Sequence, residues 1–174
     1  MESGSVKQKE FYGEVHFDNK AGLPIIKVKV NGVEASFLFD TGAPNVISVE
    51  LAAKLNLKTV TTAYVGDSGG EMGIQEYVSI DNITIGTINF LNTGAIVADL
   101  NSSEVTSCFN LDGIIGANLM RKAFWKINYS EKSISFSHDL SKLKIIDGWN
   151  TLNFTPTSSG TPKVDLELNK KIIE

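Results

Sequence analysis

Polar and apolar residues alternate from the start of the chain. Phe11, Gly13, Val15 and Phe17 fall on one side of an extended segment, and Tyr12, Glu14 and His16 on the other. That pattern predicts a half-buried strand with His16 toward solvent. Asn19-Lys20-Ala21-Gly22 reads as a turn. Pro24 to Val30 alternates again, with Ile26, Val28 and Val30 inward and Lys27 and Lys29 outward. Asn31-Gly32 is a strong two-residue hairpin signal, and it leads into the apolar run Phe37-Leu38-Phe39. Ser48 to Leu55 predicts a short helix, with Ser48 as N-cap and Glu50 in the first turn. β-prone residues from Thr59 to Ile80 flank Gly66-Asp67-Ser68-Gly69-Gly70-Glu71, which predicts a long hairpin with a glycine-rich tip. Further strands are expected at 83–85, 88–90 and 95–98, then a polar loop from Asn101 to Asn110. Ala117 to Phe124 reads as a second short helix. Trp125 to Asn128 and Ser133 to Ser137 form a hairpin around Ser130-Glu131-Lys132. Many short strands and two short helices predict a mostly β fold.

With 174 residues, 42% of them apolar, the chain suffices for one well-cored domain. The net charge of −4 without a basic block argues against a nucleic-acid partner. A single cysteine, Cys108, excludes an internal disulfide framework and reads as a small core hydrophobe. No apolar run reaches the roughly 18 residues of a membrane span. Residues 1–10 are polar and read as a disordered leader rather than a signal peptide, with Met-Glu-Ser-Gly-Ser as a cloning remnant, which leaves the compartment open. No cluster supports a metal, a cofactor or thiol chemistry. The glycine-rich tip lacks the Gly-Lys-Ser/Thr ending of a phosphate cradle.

The candidate chemistry sits where Phe37-Leu38-Phe39 runs into Asp40-Thr41-Gly42-Ala43. A carboxylate at the mouth of a buried strand is partly desolvated and sensitive to its neighbours. Gly42 permits close backbone approach, so its amide can point at that carboxylate. Thr41 adds a hydroxyl able to hydrogen-bond inward. Downstream, Leu111-Asp112-Gly113-Ile114-Ile115-Gly116-Ala117 is a second apolar run closed by glycine. Together the two stretches resemble the active-site half of the pepsin and retropepsin families of aspartic proteases. There, Asp-Thr-Gly-Ser/Ala lies in a loop beneath a strand reading apolar-apolar-Gly. Asp40-Thr41-Gly42-Ala43 corresponds to the first motif and Ile114-Ile115-Gly116 to the second. Asn45 and Ile47-Ser48 fit the residue types usual just after the first motif.

The resemblance covers about Pro24 to Phe136. It implies a closed barrel or sandwich lobe at 11–148 with two short helices and a flap hairpin. In it Asp40 is catalytic, and Thr41, Gly42, Ala43, Ile114, Ile115 and Gly116 are its support. Gly66, Asp67, Ser68, Gly69 and Gly70 would be a flap over a bound peptide, with Tyr64 as a candidate flap tyrosine. Asp112 is implied to be a structural anchor. Peptide hydrolysis by this route needs two carboxylates sharing a proton around a water. The second must come from a following lobe or from another copy of the chain across a two-fold axis. Three readings are open: an aspartic endopeptidase lobe, a homodimeric retropepsin-like enzyme, and a peptide-binding module that keeps the fold without the chemistry. No cofactor is implied, and the partners are a peptide or protein substrate and the source of the second acid. Ala43 stands where pepsin-like lobes carry serine, so an optimum nearer neutral than strongly acid is expected.

The tail repeats an earlier pattern. Pro162-Lys163-Val164-Asp165-Leu166-Glu167-Leu168-Asn169 matches Pro24 to Asn31 in its proline, its asparagine and three alternate apolar positions, at a spacing of 138 residues. Such self-similarity signals a duplicated unit. Residues 149–160 then read as a linker and 161–174 as the first strand of a second, truncated repeat. The counterpart of Asp40 would fall at position 178, four past Glu174.

Overall fold

The computed structural model describes residues 4–66, 72–100, 108–145, 148, 150–157, 160–168 and 171–173. In chain order the elements are β1 (Ser5–Val6), β2 (Tyr12–His16), β3 (Asp18–Lys20), β4 (Leu23–Val30), β5 (Val33–Phe39), β6 (Val46–Ser48), α1 (Val49–Lys54), β7 (Thr59–Gly66), β8 (Met72–Ile85) and β9 (Ile88–Ala98). They continue with β10 (Gly113–Ile115), α2 (Ala117–Met120), β11 (Phe124–Asn128), β12 (Ser133–Ser137), β13 (Thr155–Pro156), β14 (Pro162–Lys163), β15 (Leu166–Leu168) and β16 (Lys171–Ile173). The fold is mostly β, with two short helices, as the pattern predicts.

Local chemistry fixes the early hairpins. Ala21 and Gly22 have φ of 52° and 87°, and Asn31 and Gly32 have 48° and 86°. Paired positive φ values make tight turns whose twist matches the flanking strands. Gly22 N–H donates to Asn19 Oδ1 at 2.9 Å, and β4 pairs with β5 from Ile25↔Leu38 to Val30↔Val33. Ser48 Oγ accepts from Leu51 N–H at 3.1 Å, capping α1 as its position predicts.

The main sheet runs β1-β9-β6-β10-β5-β4-β8-β7, with β3 paired to β4. Because β8 also pairs with β9, the strands from β9 round to β8 close on themselves as a ring. Ile26, Val30, Phe37, Ile47, Ile80, Ile83, Phe90 and Ile115 fill the inside of that ring and are almost fully buried. A second sheet, β11-β12-β2, adds to this core. Trp125 stacks on Phe136 at 4.7 Å and packs against Phe39 at 5.0 Å. Between Ile134 and Phe136, Ser135 points the other way and donates to Glu14 Oε2 at 2.8 Å. That bond, with one from Tyr12, holds the Glu14 carboxyl below its ordinary range. A separate apolar cluster joins Ile25, Leu38, Val46, Ile96, Leu100 and Leu111, with Tyr77, Phe109 and Ile114 against it.

Several elements depart from the sequence reading. The second helix stops at Met120 instead of Phe124. Phe124 is needed as a strand residue paired to Ser137, and the Trp125 indole donates to Met120 O at 2.8 Å, turning the chain there. Cys108 is exposed rather than core, because it stands in a turn where Phe109 takes the packing position. Ser5–Val6, within the stretch read as a leader, pairs with Leu91 and Phe90. Residues 101–107 of the polar loop lie outside the described residues.

The tail carries a structural echo of the chain's opening. Leu168↔Lys171, Glu167↔Ile172 and Leu166↔Ile173 pair as β15 and β16. Each pair stands 138 residues beyond its counterpart in β4 and β5: Val30↔Val33, Lys29↔Glu34 and Val28↔Ala35. Gly160, with φ of 96°, stands at the same spacing from Gly22. Leu152 and Phe154, before it, are exposed.

Candidate active site

Strand β5 delivers the buried Phe39 and then the half-buried Asp40 to the end of the sheet. Asp40 N–H donates to Ile115 O at 3.0 Å, so the acid is tied to the neighbouring strand. Gly42 N–H donates to Asp40 Oδ1 at 2.8 Å. This is an Asx turn, and it aims one backbone dipole at the carboxylate. Thr41 sits at the outer corner of that turn, is exposed, and makes no hydrogen bond to the described residues. The inward bond read for its hydroxyl is therefore not formed, because the turn itself carries the residue outward.

Strand β10 lies parallel to β5, with Gly113↔Phe37, Ile114↔Leu38 and Ile115↔Phe39, and antiparallel to β6. The two glycines of this region have steric reasons. A Cβ on Gly113 would overlap the Phe37 ring, and one on Gly116 would overlap the backbone of Ala43 and Pro44. Asp40-Thr41-Gly42-Ala43 and Ile114-Ile115-Gly116, far apart in sequence, thus meet directly. Asp112 is an anchor: its Oδ2 accepts from Ser36 N–H at 2.7 Å and its own N–H donates to Ser36 O at 2.8 Å.

Beneath the loop lies a buried polar pair. Asn45 and Asn118 are 1% and 0% exposed. Gly116 N–H donates to Asn45 Oδ1 at 2.7 Å, and Asn45 N–H donates to Asn118 Oδ1 at 2.7 Å. Asn118 Nδ2 donates to Gly94 O at 2.9 Å. Ala117 N–H donates to Ala43 O at 2.8 Å. The sequence reading does not single out Asn118; its one signal is an amide inside the otherwise apolar turn Ala117-Asn118-Leu119-Met120.

Strands β7 and β8 form the long hairpin, paired from Thr59↔Val78 to Gly66↔Met72 with a bulge after Thr59. Tyr64 is exposed and pairs with the equally exposed Ile74. Gly66 ends β7, whereas Asp67, Ser68, Gly69 and Gly70 lie outside the described residues. Phe39, Thr41, Met120, Trp125, Phe154 and Pro156 line a mainly apolar groove of about 630 Å³. There Thr161 Oγ donates to Gly42 O at 3.5 Å, so the tail touches the acid-bearing loop. Among the described residues no group of three His, Cys, Asp or Glu side chains could hold a metal ion, and no helix is long and apolar enough to cross a membrane.

Residues 26–119 match the family described as aspartyl protease. The match takes in Asp40 to Ala43, Ile114 to Gly116 and both buried asparagines. The fold is similar to that in the crystal structure of a retropepsin-like aspartic protease from Rickettsia conorii. The TM-score is 0.53 and the sequence identity 20%, over 76% of this chain and 96% of that one. No curated protein matches the chain.

Proposed function

The chain belongs to the aspartyl protease family, and from that premise we propose that it is a lobe of an aspartic endopeptidase in which Asp40 is one of two catalytic carboxylates. The observation that carries this reading is the meeting of the Asp40 loop with β10, with the Gly42 amide aimed at Asp40 Oδ1. The half-buried carboxylate follows the last residue of β5, beside the exposed Thr41 and Gly42. In the proposed reaction two carboxyls close together cannot both ionise. The ionised one takes a proton from a water as that water attacks the peptide carbonyl. The neutral one polarises the carbonyl oxygen and later protonates the leaving amine. Gly42 and Ala43 with Ile114, Ile115 and Gly116 hold the loop, Thr41 stands at its exposed corner, and the β7–β8 hairpin, with Gly66 and the tip at Asp67, Ser68, Gly69 and Gly70, is the proposed flap. A peptide or protein is the substrate.

The source of the second acid is proposed to be a second repeat of this lobe. The β15–β16 pairing at the β4–β5 register supports that over a second copy of the chain. So do the exposed Leu152 and Phe154, apolar side chains that a following lobe would cover. In this reading 149–160 is the inter-lobe linker, and an Asp-Thr/Ser-Gly triplet is expected near position 178 of a longer reading frame.

One carboxyl cannot be acid and base at once, so these 174 residues alone, verified as monomer by light scattering, are expected to cleave peptides little or not at all. Robust, pepstatin-sensitive cleavage by the verified monomer would overturn the two-carboxylate reading.

A further inference from the structure

We propose that Asn118 is a positioning residue for the Asp40 carboxylate, acting through Asn45. It goes beyond the assignment of Asp40 while resting on it, because it concerns what holds the acid in place. The loop from Asp40 to Asn45 leaves β5 and enters β6 with few points of attachment. Asp40 is tied to Ile115 at one end, and Ala43 and Asn45 are tied to Gly116, Ala117 and Asn118 at the other. Between them the Gly42 amide bonds Asp40 Oδ1 within the loop itself.

Asn118 is the fixed end of that second attachment. Its Oδ1 takes the Asn45 N–H, and its Nδ2 grips Gly94 O on β9, a central strand of the ring, at 2.9 Å, whereas Asn45 Nδ2 reaches the same carbonyl at 3.4 Å. Asn45 in turn takes the Gly116 N–H with its side chain and gives its carbonyl to Ile96 N–H at 2.9 Å. A displaced Asn45 therefore moves Gly116, and Ala117 carries that motion to Ala43. Both amides are fully buried, where unpaired polar groups are costly and partners hold their places.

Asn45 N–H and Gly94 O constrain the residue type. One side of Asn118 faces a donor and the other an acceptor, so the side chain must accept and donate at once. An alanine does neither. An ionised aspartate accepts from Asn45 but sets a charge against Gly94 O. A protonated aspartate can serve both. Burial and that carbonyl disfavour the charged form, so the carboxyl introduced by Asn118→Asp is expected to titrate above the ordinary carboxylate range.

The test needs no peptidase activity. In nitrogen-15 spectra of the whole chain, the Gly42 amide should titrate with Asp40 and the Gly116 amide should report the Asn45 bond. Asn118→Ala is expected to shift both resonances and to lose the Asp40-linked titration of Gly42. In Asn118→Asp both should return to their wild-type positions at matched pH as the solution is acidified, and depart again as pH rises through the pKa of the introduced carboxyl. Ile134→Val, in the core but away from the loop, controls for lowered stability. The proposal is overturned if Asn118→Ala lowers the melting temperature as the control does yet leaves Gly42 and its titration unchanged. Should Asn118→Ala fail to fold, Asn118→Asp read in acid decides: no return of Gly42 and Gly116 toward wild type rejects the idea. Loss of cleavage by the enzyme with these resonances intact would instead bear on the role of Asp40 itself.

Discussion

Gly116→Ala is expected to unfold the lobe or to destabilise it by at least about 3 kcal/mol. Overpacking a well-filled site costs roughly 1–3 kcal/mol, and leaving a buried donor or acceptor unpaired costs about 1–3 kcal/mol more. Here both apply. The added Cβ would overlap the backbone of Ala43 and Pro44, which cannot rotate away as a side chain can. Relief requires lifting that loop off Gly116 and Ala117, which breaks the bonds from Gly116 N–H to Asn45 and from Ala117 N–H to Ala43. Set against a total stability of about 5–15 kcal/mol, such a loss is severe. Gly32→Ala is the comparison. Nothing lies near a Cβ there, and only its φ of 86° is unfavourable. A left-handed residue costs about 1–2 kcal/mol. Urea unfolding of the two variants should separate them clearly. Equal costs would mean that β10 and the Asp40 loop are not packed as described.

Asp40→Asn should do the reverse, sparing the fold and removing the proposed activity. The replacement keeps an oxygen that can accept from the Gly42 amide, and the site is half-exposed, so a stability change within about 1 kcal/mol is expected. An amide cannot take a proton from water or share one with a second carboxyl. General acid–base catalysis contributes about 10²–10⁴-fold, so cleavage by the assembled enzyme should fall by about 10³-fold or more. The decisive pattern is an unchanged melting temperature with lost turnover. Retained turnover would leave Asp40 as an ordinary turn acid.

Much of this is legible in the sequence because it is local. Alternation places β2 and β4, Asn31-Gly32 places the hairpin, and Ser48 places the start of α1. The pairing of the two candidate active-site stretches is legible only through family likeness, since a parallel contact between β5 and β10 spans more than seventy residues and leaves no periodic signal. Closure of the ring by β8 and β9 is non-local in another way: the strands flank a tight turn, but their return to β4 and β6 is set by packing. The end of α2 is hidden because Phe124 and Trp125 are compatible with a helix and are recruited to a strand by β12 and the aromatic core. Asn118 gives little sign of its proposed role, since a lone amide looks like any turn residue until partners such as Asn45 and Gly94 are brought to it.

The central claim is that Asp40 shares a proton with a second carboxyl group. Its most direct measurement is a carbon-13 titration of the Asp40 side-chain carboxyl in the peptide-cleaving assembly. The expected curve has two steps, because the titration of coupled acids belongs to the pair, and replacing the second acid should collapse it to one. A single step at the ordinary carboxylate value, in protein that is cleaving peptide, would contradict it.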